Sequence, residues 1–214
     1  MDLNKVIPVA PNNCGWLDIR LNEKEMDYVW RCIDNKKENF KNSLAGNIDS
    51  SYVLMDRGDW FFINTIKPLL TTYADEFSNL PAKMANYSAG ISHPLYMREW
   101  WVNYQKQGEF NPIHTHGGVY SFVIWMKIPF NWSDQNNKDM ARTSNNPKIS
   151  SFQFLYTDML GSSNGSDYRL APSDEGLMLF FPAALNHQVY PFYDCDEDRI
   201  SVSGNIVFNT SKRN

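Results

Sequence analysis

The chain has 214 residues, 43% of them hydrophobic and 21% charged, with 20 Lys and Arg against 24 Asp and Glu for a formal net charge of −4. That length can bury a proper core and is read as one domain spanning residues 1–214. The absence of a basic tract argues against nucleic acid as a main partner.

No window approaches the roughly 20 apolar residues that span a bilayer. The N-terminal stretch lacks the charged-then-apolar order of a signal peptide. The three cysteines, Cys14, Cys32 and Cys195, are odd in number and scattered, so they read as reduced thiols in a cytoplasmic setting.

Residues 1–20 carry Pro8, Pro11 and an Asn-Asn-Cys-Gly turn, and are expected to be extended with an edge strand among them. Asn22 and Glu25 form a capping-box pattern, and Met26, Val29, Trp30 and Ile33 follow at helical spacing. A helix is expected from about Glu23 to Phe40, ending near Gly46. A second begins near Asp59 with an apolar stripe of Phe62, Ile66, Leu69, Leu70, Tyr73 and Phe77. Pro68 inside it removes a backbone donor and predicts a kink, and Leu80-Pro81 marks its end. Residues 21–80 thus form a helical support.

From about residue 95 to 208 the pattern is that of strands. They are expected at Leu95–Gln105, Val119–Ile128, Ser151–Thr157, Leu177–Phe181, Gln188–Tyr190 and Arg199–Phe208. Gly108 to Pro112 reads as a loop, GSSNGS at 161–166 as a flexible turn, and Asp174-Glu175-Gly176 as a tight turn into a buried strand. The polar, Asn-rich stretch 131–150 reads as a long loop, the kind that serves as a lid or a disordered insertion. Helices first and strands after predict an α+β, mainly β chain built on a two-sheet barrel or sandwich.

The chemistry concentrates in NPIHTHGGVYSFVIWMK. In an extended segment residues i and i+2 point the same way, so His114 and His116 lean into one space. A third histidine, His187, follows the apolar strand and Phe181-Pro182. Three imidazoles from two strands suit iron, zinc, copper or nickel. On the last strand Arg199, Ser201, Ser203 and Asn205 share one face by alternation, and four polar side chains there require buried partners or a polar ligand. Tyr104 is a candidate for lining the pocket. Asn103 alternates with it and faces the other way. Trp125 and Lys127 share a face of the strand after His116, with Lys127 read as a solvated strand end. His93 sits in a turn and is not expected to be a ligand, and the loop acid Glu109 is expected to be solvated.

This order of motifs, Trp101-Val102-Asn103, Gly108, His114-Thr115-His116, Phe181-Pro182, His187 and Arg199-Ile200-Ser201 to Asn205, resembles the iron(II)- and 2-oxoglutarate-dependent oxygenases. Within them it resembles a family with relatives in bacteria and phages, over about Glu99 to Phe208. The resemblance implies a double-stranded β-helix, a jelly roll of the cupin kind supported by N-terminal helices. It also implies iron(II), 2-oxoglutarate and O2 as the reacting partners. The spacing is similar to that of prolyl 4-hydroxylases as well, in which a pocket tyrosine precedes the first ligand much as Tyr104 precedes His114. There the arginine that grips the cosubstrate follows the distal histidine, as Arg199 does. The broader superfamily has His-x-Asp where this chain has His116.

By this resemblance His114, His116 and His187 hold the metal. Arg199, Ser201, Ser203 and Tyr104 hold the cosubstrate, with Arg199 pairing bidentately to its far carboxylate. Asn103, Trp125 and Asn205 line the pocket. The expected reaction is hydroxylation of a C–H bond in a protein side chain or small molecule. Three other readings use the same residues: a three-His cupin-type dioxygenase without 2-oxoglutarate, a zinc hydrolase, and a non-catalytic jelly-roll binding module.

Overall fold

The protein is described from a computed structural model, in which residue 7 and residues 13–37, 46–78, 81–83 and 93–209 are placed. Asn22 and Glu25 close the predicted capping box: the Asn22 side chain accepts from the Glu25 amide at 3.0 Å and the Glu25 carboxylate accepts from the Asn22 amide at 2.9 Å. The first helix, α1 (Glu23–Asp34), ends earlier than its apolar pattern suggests, at an Asn35 cap whose side chain donates to the Arg31 carbonyl. The predicted continuation over 38–45 lies outside the described residues.

Pro68 does deform the second helix. A π-turn over Phe62–Ile66 precedes α2 (Lys67–Phe77), with Pro68 in its first turn. The wide turn uses an i→i−5 bond from the Lys67 amide to the Phe62 carbonyl, so the donor that proline lacks falls where the ladder has already loosened. Ser78, at φ +53°, terminates α2.

Among the described residues the strands, in chain order, are β1 (Leu17–Arg20), β2 (Ser50–Val53), β3 (Leu95–Gln105), β4 (Asn111–His114), β5 (Tyr120–Lys127), β6 (Phe152–Thr157), β7 (Ser163–Tyr168), β8 (Leu177–Pro182), β9 (Asn186–Val189) and β10 (Arg199–Phe208). They form a six-stranded sheet, β1-β8-β5-β10-β3-β2, and a four-stranded sheet, β4-β9-β6-β7. Every pairing is antiparallel. From β3 onward the chain visits the sheets in turn: β3 in the larger, β4 in the smaller, β5 back, β6 and β7 across, β8 back, β9 across and β10 back. That winding is the predicted double-stranded β-helix.

β5 shows why two apolar layers form. Phe122, Ile124 and Met126 pack with Val29, Ile33, Phe61, Ile66 and Tyr73 under the helices, while Val123 and Trp125 pack with Phe152, Phe154, Leu179 and Phe181 between the sheets. A strand buried on both faces reads as a continuous apolar run.

Two loop expectations are corrected. Residues 161–166 do not form a flexible turn, because Ser163 to Tyr168 pair residue by residue with β6. Asn111 and Pro112 belong to β4 rather than to a loop.

Residues 131–150 contain a short helix, α3 (Trp132–Asn136), and are fastened down rather than free. Asn136 donates to the Ile149 and Trp132 carbonyls, Gln135 bonds Tyr193 in both directions, and the Ser150 amide donates to Pro191. Lys148 pairs with Asp167. Among the described residues no helix is long and apolar enough to cross a membrane.

Candidate metal centre and cosubstrate pocket

His114 ends β4 and lies opposite His187 of β9 in the ladder, which brings their ring centroids to 4.2 Å. His116 lies just beyond β4, and its amide donates to the Ala183 carbonyl at 2.8 Å. Gly118 completes this turn at φ +137°, where an added Cβ would lie 2.8 Å from the Ile206 carbonyl oxygen, so only glycine fits. One nitrogen from each of His114, His116 and His187 falls within 4.8 Å of the other two.

The donor set fits a metal ion. Two backbone carbonyls fix two of the tautomers: His114 Nδ1 lies 2.7 Å from the Pro112 oxygen and His187 Nδ1 2.9 Å from the Leu185 oxygen. A carbonyl only accepts, so each Nδ1 carries the proton and each Nε2 presents a lone pair. His116 Nε2 approaches His187 Nε2 to 3.0 Å, a contact that is favourable only when a proton or a cation is shared.

Burial, and then the charges of His114 and His116, push His187 down to about 3, and burial followed by the charge of His114 pushes His116 to about 4. Burial also lowers His114. All three are therefore neutral at ordinary pH, the form that binds metal. His93 and Glu109 are not in the cluster. The Glu109 carboxylate instead accepts from the Asp49 and Lys106 amides.

The histidines open onto a cavity of about 420 Å3 whose wall includes Arg199, Ser201, Ser203, Asn205, Asn103 and Trp125. Alternation on β10 thus placed its four polar residues correctly. Asn205 accepts from Ser121 at 2.7 Å and donates to Glu99 at 3.1 Å, and Ser51 donates to Asn103 at 2.7 Å.

Tyr104 does not line the cavity. It lies on the other face of β3, packed toward the helices with its ring 6.0 Å from that of Tyr52. Lys127 pairs with Glu197 at the exposed end of β5, as a solvated strand end would.

Arg199 is buried, and the cost of burying its charge pushes it down to about 9. Among the described residues its guanidinium is met by neutral oxygens: Gln105 Oε1 at 3.1 Å from Nε and 2.5 Å from Nη2, the Ser150 carbonyl at 2.9 Å and the Tyr190 carbonyl at 3.2 Å. The rings of Phe130 and Phe192 lie 5.6 and 5.7 Å from its Cζ. The Nε/Nη2 edge, one of those a bidentate grip on a carboxylate would use, is held by Gln105 in this structure.

Polar wall residues that the sequence reading did not assign include Glu99, Gln105 and Asn111. The first two share the face of Asn103, a pattern alternation along β3 would have revealed. Asn111 Nδ2 lies 3.4 Å from His114 Nε2.

Residues 99–205, half of the chain, match the family described as "Putative 2OG-Fe(II) oxygenase". The chain belongs to this family. As a 2OG-Fe(II) oxygenase it is an oxidoreductase that uses iron(II) and 2-oxoglutarate.

Several solved structures are similar. A Pseudomonas putida prolyl-4-hydroxylase is 13% identical over 92% of this chain and 94% of its own, with a TM-score of 0.49. A viral collagen prolyl hydroxylase from Paramecium Bursaria Chlorella virus-1, in a 2-oxoglutarate complex, is 13% identical over 89% and 94%, at 0.47. HygX from Streptomyces hygroscopicus, with nickel, 2-oxoglutarate and hygromycin B bound, is 11% identical over 92% and 84%, at 0.46. No curated protein matches the chain. The strand order described above defines the fold independently of these likenesses.

Proposed function

We propose that this oxygenase hydroxylates a C–H bond, with His114, His116 and His187 holding iron(II) and Arg199 anchoring the far carboxylate of 2-oxoglutarate. When bound, metal and cosubstrate supply the oxidising power: 2-oxoglutarate and O2 become succinate, CO2 and one oxygen atom delivered to the substrate.

The observation that carries the reading is Arg199, a buried cation with no carboxylate beside it among the described residues, in the wall of the same cavity as three imidazoles. A buried charge without a countercharge is costly, and a dianion reaching in from the metal would relieve that cost. Three neutral imidazoles would also leave a divalent ion its full charge, where a carboxylate ligand would remove one unit. That excess favours an anionic chelate.

The chain's own residues orient and shield. The backbone carbonyls of Pro112 and Leu185 aim two imidazoles, and Phe152, Phe181 and Trp125 dry the cavity. The substrate, a protein side chain or small molecule, would enter by the histidine end, near Arg98, Thr115 and Gly117. A cytoplasmic setting is consistent with the free thiols of Cys14, Cys32 and Cys195.

Succinate formation with iron(II), 2-oxoglutarate and O2 tests the reading. Release that depends on all three is expected. No succinate under any metal loading would refute it.

A further inference from the structure

Among the wall residues, Gln105 has no role assigned by the reading above, yet it makes the closest contacts to Arg199. The two residues are cross-strand partners, Arg199 opposite Gln105 in the β10–β3 ladder. The Gln105 amide can be placed only one way round. Its Nε2 donates to the Glu109 carbonyl at 2.6 Å, so its Oε1 must be the atom that faces the guanidinium. The Glu109 loop is itself pinned, because its carboxylate takes the Asp49 and Lys106 amides. Gln105 is therefore a fixed acceptor.

We infer that Gln105 is a positioning residue for the cosubstrate: its neutral oxygen occupies the Nε/Nη2 edge of Arg199 without cancelling the charge, leaving the Nη1 edge to meet a dicarboxylate. The inference rests on the proposed role of Arg199. Nε donates to Gln105, Nη2 to Gln105 and Tyr190, and Nη1 once, to Ser150. One Nη1 N–H remains without an acceptor among the described residues.

Phe130 and Phe192, whose rings lie 4.7 Å apart, both sit to one side of the guanidinium. Ser201, in the same wall, supplies a hydroxyl nearby. A glutamate at position 105 would keep an oxygen on the same N–H groups, at the loss of the donor to the Glu109 carbonyl, but as an ion pair that neutralises Arg199 and repels the incoming carboxylate.

The test compares two keto acids on nickel-loaded protein by calorimetry: 2-oxoglutarate, and 2-oxopentanoate, in which a methyl group replaces the far carboxylate. The wild type should prefer 2-oxoglutarate by about tenfold or more, the worth of a charge-assisted hydrogen bond. Gln105→Glu should bring the two affinities within about threefold of each other by weakening 2-oxoglutarate alone, with nickel affinity unchanged. Gln105→Met, which frees the fork and keeps the charge, should preserve or widen the preference.

A Glu variant that retains the wild-type preference would overturn the proposal. So would one that loses both keto acids equally, since a purely structural role predicts that, and so would a Met variant that loses the preference. If the wild type has no preference, the role of Arg199 falls first and the role of Gln105 falls with it.

Discussion

Val102 and Val202 are ladder partners on β3 and β10, both fully buried beneath the helices. The next pair, Asn103 and Ser201, lines the cavity. The alternation continues along both strands: Trp100, Val102, Val202 and Ile206 on the outward face, and Glu99, Asn103, Gln105, Arg199, Ser203 and Asn205 on the inward one. The same hydrogen-bonded ladder thus carries an apolar layer that supplies stability and a polar layer that supplies the site. The outward layer contributes through buried area. The inward layer spends part of that contribution on a buried cation and amides whose partners must be exact in placement.

Substitutions on the two faces should therefore separate stability from ligand binding. The largest effect is expected from Val202→Asp, which buries an unpaired carboxylate under the helices. It should cost several kcal/mol and leave little soluble folded protein, read as loss of a cooperative melt.

On the inward face Arg199→Ala should weaken 2-oxoglutarate by about 10- to 100-fold, the worth of a charge-assisted contact, with metal affinity intact. Unchanged cosubstrate affinity in a calorimetric titration would break the contrast between the faces. Gly204 returns to the outward face. A Cβ there would lie 2.5 Å from the Phe122 ring and 2.9 Å from Trp100 Cβ, so Gly204→Ala should cost about 1–3 kcal/mol in a denaturant melt. Ser201→Ala is the mildest. Stability should hold within about 0.5 kcal/mol, while 2-oxoglutarate binding weakens by about threefold to tenfold, the worth of one neutral hydrogen bond.

The His114–His116 pair and the β10 wall were legible from sequence because both depend on local spacing, whereas His187 joins the pair through the long-range β4–β9 ladder and was assigned by family resemblance. His114 and His116 are two residues apart, and the polar residues of β10 keep strict alternation. The assignment of Tyr104 failed for a different reason. Which face of β3 meets the cavity is set by its pairing with β10, and the pairing of Arg199 with Gln105 joins residues far apart in the chain. No local pattern states that register.

β7 escaped because SNGSDY has the composition of a turn. It is a strand at the edge of the smaller sheet, held by its ladder to β6, and edge strands tolerate polar sequence. The 131–150 stretch misled in the opposite sense. Its Asn-rich composition suggested freedom, yet Gln135, Asn136 and Ser150 are buried and spend their hydrogen bonds on backbone groups or, in the case of Ser150, present the carbonyl that receives Arg199.

The most direct test of the account is a metal titration of the apo protein beside its His114→Ala, His116→Ala and His187→Ala variants. The account predicts one divalent ion per chain in the wild type, affinity falling by about 100-fold or more in each variant, and 2-oxoglutarate binding only when metal is present. Full metal affinity in any one of the three variants, or 2-oxoglutarate binding equally well without metal, would contradict it.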